Sequence, residues 1–169
     1  MTMTIHAASA PIIARMLSNL AVWLEKAQAH ADAKKFDSAN YLGMRLAPDM
    51  LPFGAQVKIA CDIGRMTMAR LAATDAPKWP DDETTIAALI VRVQKAAEYV
   101  ESFSVDDVEG ATSREIVVPQ RGRDALVFNG ETLLQRWALP NVFFHTTTAY
   151  ALLRQAGVDI GKADYLGAV

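Results

Sequence analysis

Few side chains in this sequence have the chemistry of a site, and His145 leads them. It lies in Phe143-Phe144-His145 and is the only histidine beyond the first helical segment. Trp137 and Asn141 precede it at four-residue steps, so the three share one helix face. Asp49 and Gln56, on an earlier helical segment, also share a face and are candidates to complete a polar pocket opposite His145. A His–Asp pair in such a pocket would act as a general base. Three readings of His145 stand side by side: a structural histidine hydrogen-bonded across the core, a pocket residue that contacts a ligand, and a metal ligand.

The remaining reactive types point to ordinary roles. Cys61 is the single cysteine, so no internal disulfide forms. It falls deep in an apolar-periodic helix, far from the cation or helix N-terminus that would activate a thiol. Thr146, Thr147 and Thr148 lack a partnered base, which leaves a nucleophilic triad unsupported. Asp81 and Asp82 read as helix-capping residues. His6 and His30 belong to opposite ends of the first helix, about 36 Å apart, and share no site within one chain. The turn from Gln120 to Arg123 is expected to serve hairpin solubility, and Trp79 to anchor a linker.

Composition excludes several classes of function. The chain has 169 residues, 51% hydrophobic and 21% charged, with a net charge of −2. One domain with a proper core is expected. No basic face with interleaved aromatics appears, so nucleic acid is not an expected partner. No apolar run approaches the roughly 18 residues of a membrane span. The N-terminus lacks a basic region ahead of its apolar run, which Arg15 interrupts, so no signal peptide is expected. Cytoplasmic location follows as the expectation.

The elements that must position these residues are helical. Ile12, Ile13, Met16, Leu17, Leu20, Trp23, Leu24 and Ala27 recur at three-four spacing and predict a helix over residues 5–31. A second helix is expected over 49–74, opened by Pro48 and capped by Asp49, with Pro52 in its first turn. A third follows over 84–102 with Asp82 as N-cap. The period then changes: 115–119 and 124–128 read as two strands of a hairpin turning at Gly122. Asn129 caps a fourth helix over 131–155, which Pro140 should kink or split near residues 136–139. The polar tail from Gly157 to Gly167 is expected to fold back across the bundle, over the His145 region or against a second subunit. Together these features predict an all-α fold: a four-helix bundle with a small β-hairpin between helices three and four, as one domain over 1–169.

The run LAPDMLPFGAQVKIACD from Leu46 to Asp62, the run NVFFHTTTAYALLR from Asn141 to Arg154, and the tail GKADYLG from Gly161 to Gly167 resemble the DinB/YfiT-like superfamily. Within it the chain is similar to a bacterial family catalogued as a domain of unknown function. The resemblance spans nearly the whole chain and implies a DinB-like bundle. Metal-binding members carry one histidine on the second helix and an H-x-x-x-H pair on the fourth. Here His145 matches the first member of that pair and Ala149 stands in the second place. The second helix has no histidine, and Gln56 or Asp62 falls nearest the missing ligand.

The expectation is therefore a metal-free binding or interaction protein with a residual polar pocket formed by His145, Asn141, Trp137, Gln56 and Asp49, open to a small-molecule ligand. The alternative is a zinc- or nickel-dependent enzyme resembling the superfamily's thiol S-transferases, with His145 as metal ligand. A homodimer is expected from the superfamily and from apolar residues Leu20, Val22, Trp23 and Leu24 on more than one face of the first helix.

Overall fold

The computed structural model describes residues 3–120 and 122–167. Four long helices form the bundle: α1 (Ala10–Lys34), α2 (Phe53–Leu71), α3 (Ile86–Glu101) and α6 (Leu139–Gln155). Around the bundle, α1 packs on α3 and α6, and α2 packs on the same two. Helices α1 and α2 thus lie diagonally opposite, and the connection between them crosses over. A 3-10 turn (Ser38–Gly43) occupies that crossover. The core is continuous, with Trp23, Leu17, Leu20, Leu24, Phe53, Leu89 and Leu152 fully buried. Each such side chain contributes roughly 1.5–3 kcal/mol by leaving water.

Helix boundaries differ from the expected ones for local reasons. Helix α1 begins at Ala10 rather than at residue 5, because Pro11 has no N–H and fits only a first turn. Helix α2 begins at Phe53, with Pro52 as its N-cap, so Asp49 lies in the turn ahead and caps nothing. It ends at Leu71, where Ala73 turns left-handed at φ 54°. Thr85, not Asp82, caps α3: its side chain accepts from the Ala88 N–H at 3.1 Å.

Two short elements follow α3, the helix α4 (Val105–Val108) and a 3-10 turn (Glu109–Ala111). Strands β1 (Ile116–Gln120) and β2 (Arg123–Phe128) pair antiparallel, Ile116 opposite Phe128 and Val118 opposite Leu126, with a bulge before Gln120. Ile116 and Val118 are buried against the bundle, which is how so small a ribbon persists. Gly122 has φ 70°, as the tight turn requires; Arg121 lies outside the described residues.

Asn129 caps the next helix in a reciprocal box with Thr132. That helix is split as expected, into α5 (Gly130–Leu133), a π-helical segment (Leu134–Ala138) and α6. Pro140 supplies no N–H to the Arg136 carbonyl and crowds it, and the wider π turn accommodates both defects. Helix α6 ends in a Schellman motif: Gly157, at φ 88°, donates to the Arg154 carbonyl, and Val158 donates to that of Leu153.

The tail folds back as expected. Helix α7 (Lys162–Leu166) lies along α1, where Trp23 Nε1 donates to the Asp164 carbonyl at 3.0 Å and Asn19 Nδ2 to that of Tyr165 at 2.9 Å. Lys26 pairs with the Asp164 carboxylate at 2.5 Å, and the Tyr165 ring stacks on Trp23. The apolar residues expected on more than one face of α1 are thereby used within the chain, apart from Val22. Leu20, Trp23 and Leu24 are fully buried, and of that set only Val22 is exposed.

Candidate functional site

Helix α6 turns His145 inward while its neighbours Phe143 and Phe144 stay outside, 37% and 55% exposed. Gln56 meets it from α2, where the inward stripe Phe53, Val57 and Ala60 carries the amide into the interior. His145 Nδ1 lies 2.7 Å from Gln56 Oε1, and Gln56 Nε2 donates to the Leu51 carbonyl at 3.0 Å.

This chain of bonds fixes every proton in it. The Leu51 carbonyl can only accept, so the Gln56 NH₂ group faces it, and the amide oxygen faces His145. Nδ1 must then be the donor. The neutral imidazole is therefore the Nδ1–H tautomer, with the lone pair on Nε2. Burial pushes the His145 pKa down, which favours this neutral form. Nε2 has no partner among the described residues, yet it is not one of the fully buried unpartnered atoms, so it reaches solvent. The Phe144 ring stands edge-on to the imidazole, centroids 5.2 Å apart.

The other expected pocket residues go elsewhere. Asn141 Nδ2 donates to the Trp137 carbonyl one turn back, at 2.6 Å. The Trp137 ring lies beside Phe128 of β2 and ties the hairpin to the π segment. Asp49 is exposed ahead of α2, so its expected helical alignment with Gln56 does not exist. No hydrogen bond or ring contact among the described residues joins these three to His145, and no His–Asp base pair forms. The tail meets α6 through Thr147 and Tyr150, which point away from the Gln56 side, so it does not cover His145.

The donor set does not suit a metal. Ala149 is buried at the place of the second imidazole. Gln56 is committed to His145, and Asp62 binds two arginines. Among the described residues no three His, Cys, Asp or Glu side chains come together as metal ligands. Cys61 is wholly buried, and burial raises its thiol pKa to about 12, so it is no nucleophile at neutral pH.

A second buried polar cluster has no counterpart among the expected sites. Arg65 of α2 and Arg92 of α3 are 5% and 4% exposed. Arg92 reaches Asp62 at 3.0 Å, Glu83 at 2.8 Å and the Pro80 carbonyl at 2.7 Å. Arg65 binds Asp62 and the Pro77 carbonyl. Both guanidinium groups lie against the Trp79 ring. Desolvation pulls the Arg92 pKa down, but the Glu83 hydrogen bond and the Asp62 and Glu83 charges outweigh it and leave it raised. The cluster clamps the irregular α2–α3 linker, and Trp79 anchors it as expected. Asp81, 65% exposed in its side chain, is a partner of Arg92 and not a cap. The available signal was position: Arg65 sits one turn after Cys61 and Arg92 beside Val93, both on buried stripes.

Among the described residues no helix is long and apolar enough to cross a membrane. No curated protein matches the chain. Over 97% of its length it superimposes on 92% of a DinB family member protein from Shewanella denitrificans, with 38% identity and a TM-score of 0.86. Residues 5–166 match the family model of a domain of unknown function, DUF1993. A bundle with this winding, inserted hairpin and returning tail therefore belongs to the DUF1993 family of DinB-like proteins.

Proposed function

We propose that this protein is a metal-free binding or interaction protein whose recognising group is the Nε2 atom of His145. The observation that carries this reading is the relay from the Leu51 carbonyl through Gln56 to His145. It engages one ring nitrogen and presents the other, neutral and solvent-reaching, as a hydrogen-bond acceptor beside the half-exposed Phe144 ring. A partner that fits offers a hydroxyl or N–H donor on an apolar body. The commitment of Gln56 and Asp62 to other side chains supports a metal-free site.

Elemental analysis of untagged protein, after exposure to zinc, nickel and manganese and then desalting, tests the reading. Metal well below one equivalent is expected. Near-stoichiometric metal that disappears in His145→Ala would overturn it and favour a metal-dependent enzyme. Nitrogen-15 NMR of the His145 ring should show the proton on Nδ1, and a proton on Nε2 alone would dismantle the relay.

A further inference from the structure

A groove of about 370 Å³ runs where α1, α6 and the returning tail meet, on the side of α6 away from Gln56. Ile12 and Met16 of α1, Phe143 of α6, and Tyr165 and Leu166 of α7 line it, and Arg15 is its one ionisable cation. Volumes of this order are typical of small-ligand sites. Two wall residues are apolar and exposed without burying one another, Phe143 at 37% and Leu166 at 49%. Phe143 and Leu166 thus leave apolar surface open toward the concavity.

Tyr165 is held rigidly in this wall by its stack on Trp23 and by its hydroxyl, 2.8 Å from Thr147 Oγ1. The carboxylate nearest in sequence, Asp164, is committed to Lys26 and to the Gly161 N–H. Arg15 has no hydrogen bond or ion pair among the described residues, and no acidic side chain lines the groove. The groove thus pairs an apolar floor with a single planar cation. Its complement has one negative charge and an apolar body, and a carboxylate fits the charge because a planar guanidinium matches it in two parallel hydrogen bonds.

We propose that this groove binds a medium-chain carboxylate, its head on Arg15 and its chain along Ile12, Phe143 and Leu166. The site is independent of His145. It also gives the tail a use beyond stability, because α7 supplies one wall.

Calorimetric titration of the full chain with decanoate, below its micelle concentration, tests the assignment. One decanoate per chain is expected. Arg15→Gln should weaken binding about tenfold, the size of one charge-assisted contact at a partly open site. Leu166→Asp, which sets a like charge in the wall, should abolish detectable binding. Both positions are exposed, so melting curves should match the parent and separate lost binding from lost folding. Decylammonium, with a similar tail and opposite charge, should not compete. Binding unchanged in Arg15→Gln, equal binding of decylammonium, or no binding of decanoate would each overturn the proposal. So would a dimer that Leu166→Asp dissociates while decanoate has no effect, which would place a second copy of the chain in the groove.

Discussion

Gln56 and Arg65 are both buried on α2, one in its first turn and one in its second half, and their surroundings differ in kind. Around Arg65 and Arg92 the terminal guanidinium nitrogens meet carboxylates and carbonyls from α2 and the α2–α3 linker, while Arg65 Nε, Arg92 Nε and Glu83 Oε2 stay buried without a partner. Around Gln56 the chain of bonds has one member per link and ends at a ring nitrogen that faces outward. A closed network fixes a backbone path, and an open one leaves a valence for something else. Burial of polar groups is common to both. What separates them is where the unpartnered atoms lie: Arg65 Nε, Arg92 Nε and Glu83 Oε2 are sealed in the interior, and the free His145 nitrogen is not.

The sharpest way to break this contrast is Arg92→Ala. The substitution leaves Glu83 without its buried countercharge, removes one of the two from Asp62 and frees the Pro80 carbonyl. Breaking a buried ion network on one side costs about 3–5 kcal/mol. Urea unfolding should show that loss, with the slope of the transition unchanged. A loss below about 1 kcal/mol would mean that the linker is held by Trp79 packing alone.

Gln56→Leu probes the other cluster and should cost less, about 1–2 kcal/mol, because only one buried ring nitrogen loses its partner. The Leu51 residue is exposed, and its carbonyl can turn to water. The ranking Arg92→Ala well above Gln56→Leu, measured in one denaturant series, is the test of scaffold against site. Equal losses would make the His145 relay structural too.

The long helices were legible because apolar residues at three-four spacing name one buried face, and in α1 all of the stripe from Ile13 to Ala27 is buried. Helix ends were less so. Asp82 has the right side chain for a cap, but the linker around it is pulled out of helical geometry by Arg92 and Arg65, which lie elsewhere in sequence. The Ser104–Asp107 box is a local signal for α4 that apolar periodicity alone does not reveal. Of the expected pocket, His145 and Gln56 meet because both lie on true helix faces. Asp49 fails because seven-residue alignment holds only inside a helix, and α2 starts at Phe53. The Trp137 ring packs on Phe128 of the hairpin and Asn141 bonds back to the Trp137 carbonyl, contacts that four-residue spacing does not specify.

The smallest effect sharpens the comparison most finely, because it asks whether His145 is neutral in the folded chain. Burial depresses its pKa below the ordinary 6.5. As pH falls below that value the unfolded chain binds a proton that the folded chain still refuses. The contribution of His145 is thus fully present above pH 6.5 and is lost as pH falls through the lowered folded value. Unfolding midpoints should therefore fall more steeply on acidification in the parent than in His145→Gln, which has nothing to titrate at that position. Protonation also removes the Nε2 lone pair while leaving the Nδ1–H bond to Gln56 intact. A ring titration followed by NMR should accordingly move Nε2 far more than Nδ1. If both nitrogens shifted together, the imidazole would be exchanging tautomers freely and the open end of the relay would not exist, and if the parent and His145→Gln showed the same acid slope, burial would not be holding the ring neutral.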